Sequence, residues 1–176
     1  MGDYRIGYVT GLLAAFAITF IAIILIRKFK GGYEHYDERQ ILARGKGYKI
    51  SFMTVLLSNF LYAFFFYGVT KDIVSPQFII IAIAMIGVMV YAVYCIFHDA
   101  YVQVGQNNKT WLIVLALVII SNLLGALSNR EEGFSVDGLA NGKYLNLLIA
   151  IVFSVVLIAF LIKSFIDKRG ESHEES

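Results

Sequence analysis

The fold is decided by long uncharged stretches, and the clearest is ISFMTVLLSNFLYAFFFYGVT at residues 50–70. At 1.5 Å per residue, a helix of about 21 residues crosses a hydrocarbon core of roughly 30 Å. Four other stretches share its apolar character and lack of Asp, Glu, Lys and Arg. The five stretches lie at residues 6–26, 50–70, 73–97, 110–129 and 144–162.

The composition agrees with a membrane protein. Hydrophobic residues make up 59% of the 176 residues and charged residues 16%, and the mean hydropathy is +0.71. We therefore predict an all-α fold, a polytopic membrane helix bundle in which 1–176 forms a single integral membrane domain. The five predicted transmembrane helices lie at about 6–26, 50–70, 77–97, 110–129 and 144–163, and a short disordered tail follows at 168–176.

The net charge and the cysteine content exclude some classes of partner and bond. A formal charge of +2 is too small to indicate a nucleic-acid partner. The single cysteine, Cys95, excludes a disulfide within the chain.

The basic residues indicate how the bundle is oriented. Because successive connectors lie on opposite sides of the membrane, one side collects eleven Lys and Arg residues and the other four. The positive-inside rule places the richer side in the cytoplasm. This predicts an N-out/C-in, multi-pass protein of the bacterial inner or plasma membrane. Seven of the eleven cations lie between the first two stretches: Arg27, Lys28, Lys30, Arg39, Arg44, Lys46 and Lys49.

Two stretches contain a similar polar pair. VLLSNFL at residues 55–61 resembles VIISNLL at 118–124, which suggests a weak two-helix duplication. An amide facing lipid is costly, so the pairs are expected to face the protein interior. There they either hydrogen-bond between helices or line a site for a solute or ion. This candidate intramembrane polar site comprises Ser58, Asn59, Ser121 and Asn122.

An aromatic stripe marks the end of the third stretch. At 100° per residue, its members fall within about 80° of one another on a helix. An aromatic belt at the inner interface explains this pattern. A metal site would need a third ligand beyond Cys95 and the neighbouring histidine, so we expect no metal and no cofactor. The stripe comprises Tyr91, Tyr94, His98 and Tyr101.

The basic connector before residue 50 is the richest segment. Asp37 followed by Gln40 is typical of a helix cap, and it predicts a helix that starts there and continues into the second stretch. Ala43, Gly47 and Ser51 recur every four residues and form a smooth face. The cations serve either as a topological anchor among anionic lipid headgroups or as a docking site for a membrane or cytoplasmic protein. The candidate contact residues are Asp37, Glu38, Arg39, Gln40, Arg44 and Lys46.

The same segment resembles a known group of proteins. YDERQ at residues 36–40, RGKGYK at 44–49 and Phe52 are similar to the Asp-Glu-Arg loop and following helix of small, uncharacterised bacterial multi-pass membrane proteins. The similarity covers residues 34–55 and the general layout, although an alanine is common in the family where Gly47 stands. Members often occur beside regulator or transporter genes. The resemblance therefore implies an accessory, regulatory or immunity-like role and carries over no catalytic residue.

These patterns favour a non-enzymatic membrane protein that acts through its basic cytoplasmic loop. The alternative is a small-solute transporter or a channel-like protein that uses the Ser-Asn pairs. Against that alternative, no Asp, Glu, Lys or Arg lies in the central part of any stretch, and proton-coupled carriers usually need an ionisable group there.

Overall fold

In a computed structural model of the protein, the described residues are 36–102, 108–129, 133–136 and 139–174, with single helical positions at 10, 17 and 21. The chain divides into two compact units, Met1–His35 and Tyr36–Ser176. The predicted first helix at 6–26 lies almost wholly outside the described residues. The description below concerns the second unit.

Within the described residues, four helices are long and apolar enough to cross a membrane. The chain is therefore a helical bundle of membrane type, as predicted, although a count of five spans is not confirmed. Two short strands lie between the last two helices. They are β1 (Ser135–Val136) and β2 (Leu139–Ala140), and they pair antiparallel. The helices are α1 (Glu38–Thr70), α2 (Pro76–Phe97), α3 (Asn108–Ser128) and α4 (Gly142–Glu174).

Local capping chemistry sets the beginning of α1. The Asp37 carboxylate accepts a hydrogen bond from the Gln40 backbone N–H at 2.6 Å, which confirms the predicted cap. The helix then continues into the apolar stretch without a break. No pattern in the sequence indicates its π-helical turn at Tyr62–Phe66.

The two ends of α2 also have local structural causes. Pro76 opens α2, where its missing N–H costs nothing. The same helix stops because Asp99 has a φ of 55°, while the Ala100 N–H returns to the Cys95 carbonyl at 2.8 Å. The predicted tail at 168–176 is wrong for most of its length, since α4 remains helical through Glu174.

The helices pack in a chain of pairs: α1 against α2, α2 against α4, and α4 against α3. Ala43 and Gly47 are buried on the predicted smooth face of α1, and the Ser51 hydroxyl donates to the Gly87 carbonyl at 2.7 Å. A core of mostly small and branched side chains joins α2, α3 and α4. Its buried members are Ala92, Ile96, Leu115, Val156, Ala159 and Phe160.

Candidate functional site

The charged ends of three helices meet at one end of the bundle. We call this the polar end and define it as residues 37–49, 98–102 and 163–169. Lys163 Nζ lies 3.0 Å from Asp99 and 2.7 Å from Asp167, and Arg39 lies 3.7 Å from the same Asp99 carboxylate. These three segments must share one side of the membrane in the predicted topology, and their contacts agree with that requirement.

Two of the predicted contact residues point inward. Gln40 is only 8% exposed, and its side-chain amide donates to the carbonyls of Asp99 and Val102 at 2.6 and 3.1 Å. Arg44 donates to the Ala100 carbonyl at 3.2 Å and stacks over the Tyr36 ring at 4.2 Å. Both side chains therefore bond within the protein, and their role as partner contacts stays a prediction. They hold the 98–102 turn by donating to carbonyls that lie beyond the end of α2.

Other residues of the same segment are exposed and together form what we call the outer basic face. Ile41 and Leu42 are 58% and 69% exposed, although both precede the apolar stretch. The positive charges come from the exposed Arg39, Lys46 and Lys49. Because Gln40 and Arg44 of the same segment are bonded to the 98–102 turn, α1 presents the outer basic face in one fixed position.

A polar cavity of about 210 Å³ separates the 98–102 turn from α4, and it is lined by Asp99, Tyr101, Lys163 and Asp167 among others. The Lys163 ammonium lies within 3.0 Å of both carboxylates, so it offsets one of their two negative charges and fastens α4 to the turn. Burial raises the pKa of the Tyr101 phenol, which keeps it neutral. No local sequence pattern indicates this cluster, because its members are far apart in the chain.

The residues of the predicted aromatic stripe do not all lie on one helix face. Tyr94 stacks on His98 with ring centroids 3.9 Å apart, and Tyr91 stacks on Tyr48 of α1 at 4.3 Å. Tyr101 does not share their helix face, because α2 has already ended at Phe97 and the chain has turned. Tyr101 instead packs edge-on against Trp111 and Phe160.

The structure does not bring the predicted intramembrane polar pairs together. Asn59 and Asn122 each donate to the carbonyl four residues earlier, Val55 and Val118, at 2.8 Å. Ser121 likewise donates within its own helix, at 3.0 Å, and Ser58 is half-buried on α1. Within the described residues, α1 and α3 do not form a packed pair. A carbonyl one turn back satisfies each amide without a second helix, so these contacts give the predicted shared site no support.

The opposite end of the bundle contains a polar cap around Asn141. Asn141 is fully buried. Its side chain donates to the Gly133 carbonyl at 2.7 Å and accepts from the Lys143 backbone N–H at 2.8 Å, which caps α4. Gln77 of α2 accepts from the Ala140 N–H at 2.9 Å. The only local signal was an Asn just before an apolar stretch.

Among the described residues, no group of three or more His, Cys, Asp and Glu side chains is placed to hold a metal ion. Comparison with protein-family models, with curated proteins and with solved structures gives no match. The resemblance of residues 34–55 to small bacterial membrane proteins stays a prediction. The roles proposed below rest on the geometry of the polar end.

Proposed function

We propose that this protein is a non-enzymatic accessory or regulatory protein of the bacterial inner membrane, immunity-like in its mode of action. It acts by presenting the outer basic face of α1 to an acidic surface of a membrane or cytoplasmic protein. The observation that carries the proposal is the combination of exposed cations and exposed large apolar side chains on a segment that is anchored from behind. Such mixed patches are typical of protein contacts.

The length of α1 supports the placement of this face outside the hydrocarbon. Its 33 residues extend about 50 Å at 1.5 Å per residue, whereas the core is roughly 30 Å thick. Residues 38–49 contain the charges, so they are the part that projects. By the positive-inside rule this side is the cytoplasm.

The test is site-specific photocrosslinking in native membranes. A photoreactive residue at Ile41 is compared with one at Ile73. The two positions hold the same residue type and are similarly exposed, Ile41 at 58% and Ile73 at 65%, but Ile73 follows the opposite end of α1. We expect a discrete protein adduct from position 41 and none from position 73. Charge reversal by Lys49→Glu is expected to abolish the adduct, because an acidic partner is then repelled.

Two outcomes contradict the proposal. If position 41 forms only lipid adducts, the cations are a topological anchor and not a docking face. If Lys49→Glu leaves a protein adduct unchanged, the contact does not depend on the charge of this face. The variant Lys71→Glu is the matched control, since it reverses one exposed lysine at the other end of the same helix.

A further inference from the structure

We propose that the polar end binds one anionic phospholipid at a defined site, with the headgroup phosphate between Arg39 and Lys46 and one acyl chain along α2. The site combines two adjoining cavities, which we call the headgroup cleft and the acyl groove. This inference goes beyond the proposed function and does not depend on it.

The headgroup cleft lies between the first turns of α1 and the end of α2. It has a volume of about 320 Å³, which falls within the usual range for small-ligand sites. Two cations from one helix and a stacked aromatic pair from the other face the same space. Its lining consists of Arg39, Leu42, Ala43, Lys46, Tyr94 and His98.

The positive charge of the cleft is only partly compensated, because Asp99 is the one carboxylate that the described ion pairs place beside Arg39 or Lys46. The nearest carboxylate, Asp99, lies closer to Lys163, at 3.0 Å, than to Arg39, at 3.7 Å. The Arg39 side chain is 77% exposed, so its pairing with Asp99 is weak. Within the described residues, Lys46 has no ion-pair partner. A phosphate group complements this pair of cations.

The His98 side chain forms the wall between the two cavities. Its Nδ1 lies 2.8 Å from the Tyr94 carbonyl, and because a carbonyl only accepts, Nδ1 must carry the hydrogen. The two rings also stack with an interplanar angle of 16°. These contacts fix the imidazole and leave Nε2 as the ring nitrogen available to a polar ligand.

The acyl groove begins at the same aromatic pair. It has a volume of about 470 Å³, and Tyr94 and His98 line it as they line the cleft. From residue 89 to residue 98 it follows α2 for about 14 Å at 1.5 Å per residue. Apart from the shared pair its lining is apolar: Met89, Val90, Val93, Phe97 and Val155.

The position of the two cavities on either side of the same aromatic pair indicates the class of ligand. A free phosphate would use the cleft and leave the groove empty, whereas a fatty acyl chain alone would not need the cations. A phospholipid with a net negative headgroup uses both, and it is already at the correct depth in the membrane. Cations near anionic headgroups contribute about a fivefold factor in affinity each.

The experiment titrates the purified full chain, in a neutral detergent, with phosphatidylglycerol and separately with phosphatidylcholine, and follows bound lipid by native mass spectrometry. We expect one phosphatidylglycerol per chain with preference over phosphatidylcholine. Arg39→Gln combined with Lys46→Gln is expected to weaken phosphatidylglycerol binding by roughly 30-fold, as two cations are lost. The matched control, Lys49→Gln with Lys71→Gln, removes two exposed lysines outside the site and should bind normally.

A second variant tests the groove. Val90→Trp fills the acyl path and keeps both cations, so it too should weaken phosphatidylglycerol binding, while inorganic phosphate should not displace the lipid. Equal binding of the two lipids, an equal loss in the control variant, normal binding by Val90→Trp, or displacement by phosphate would each overturn the proposal. The readout is lipid retention, so its failure is distinct from the absence of a crosslinked partner.

Discussion

Gln40 illustrates how a single side chain organises the polar end. Its amide spans from α1 to two carbonyls of a turn about 60 residues later in the chain. We expect Gln40→Leu to lower the free energy of unfolding by about 1–3 kcal/mol, because two part-buried hydrogen bonds to the Asp99 and Val102 carbonyls are lost. The measurement is denaturant unfolding in detergent micelles.

The control for Gln40 is Lys49→Leu on the exposed side of the same helix. Substitutions at such positions usually change stability by no more than about 0.5 kcal/mol. Similar losses in the two variants would show that the Gln40 bonds do not stabilise the fold.

Gly87 permits the close approach of α1 and α2. A Cβ at this position would clash with the Val55 side chain, whose β-branched methyl has little freedom to move. We expect Gly87→Ala to destabilise the bundle by about 1–3 kcal/mol through overpacking, measured by the same unfolding assay.

Two further variants isolate the steric cause. Gly68→Ala is the matched control, because a Cβ there meets nothing within 4 Å. Adding Val55→Ala to Gly87→Ala should restore part of the lost stability. A Gly87→Ala protein as stable as the parent would mean that the helices separate without cost.

At the level of elements, the two helical hairpins satisfy their intramembrane amides in the same way. Asn59 and Asn122 sit on α1 and α3 and bond within their own helices. The effects of Asn59→Leu and Asn122→Leu on stability should therefore add to within about 0.5 kcal/mol, as is usual for independent sites. A double mutant that costs clearly less than the sum would indicate a direct contact between the two amides. The proposed duplication of the hairpins stays a prediction.

At the scale of the molecule, the described residues place the charged start of α1 and the charged end of α4 at the same end of the bundle, and the charge bias predicts that this end is cytoplasmic. Single cysteines at Asp72 and Ser135 should react with a membrane-impermeant maleimide in intact cells, and one at Lys168 should react only after the cells are opened. All three positions are exposed. The native Cys95 is fully buried, so the parent protein supplies a low background. Labelling at position 168 in intact cells would reverse the orientation.

Much of the architecture was predictable because its causes are local. Whether a stretch can cross the membrane depends on the summed free-energy cost of moving its neighbouring residues from hydrocarbon to water. Four of the five predicted spans have a counterpart among the described helices. The Asp37 cap depends on a bond to a residue three positions later. The smooth face of Ala43 and Gly47 follows from the helical period. None of these inferences requires knowledge of how distant segments meet.

The candidate site was decided by tertiary structure. Asp99, Lys163 and Gln40 come together only because α2 ends at a left-handed residue and α4 continues past Lys163. The sequence by itself determined that the chain forms apolar helices with a basic, capped α1. Only the fold decided which polar groups of that helix bond inward and which remain exposed, because a donor selects its acceptor by three-dimensional proximity and not by its place in the chain.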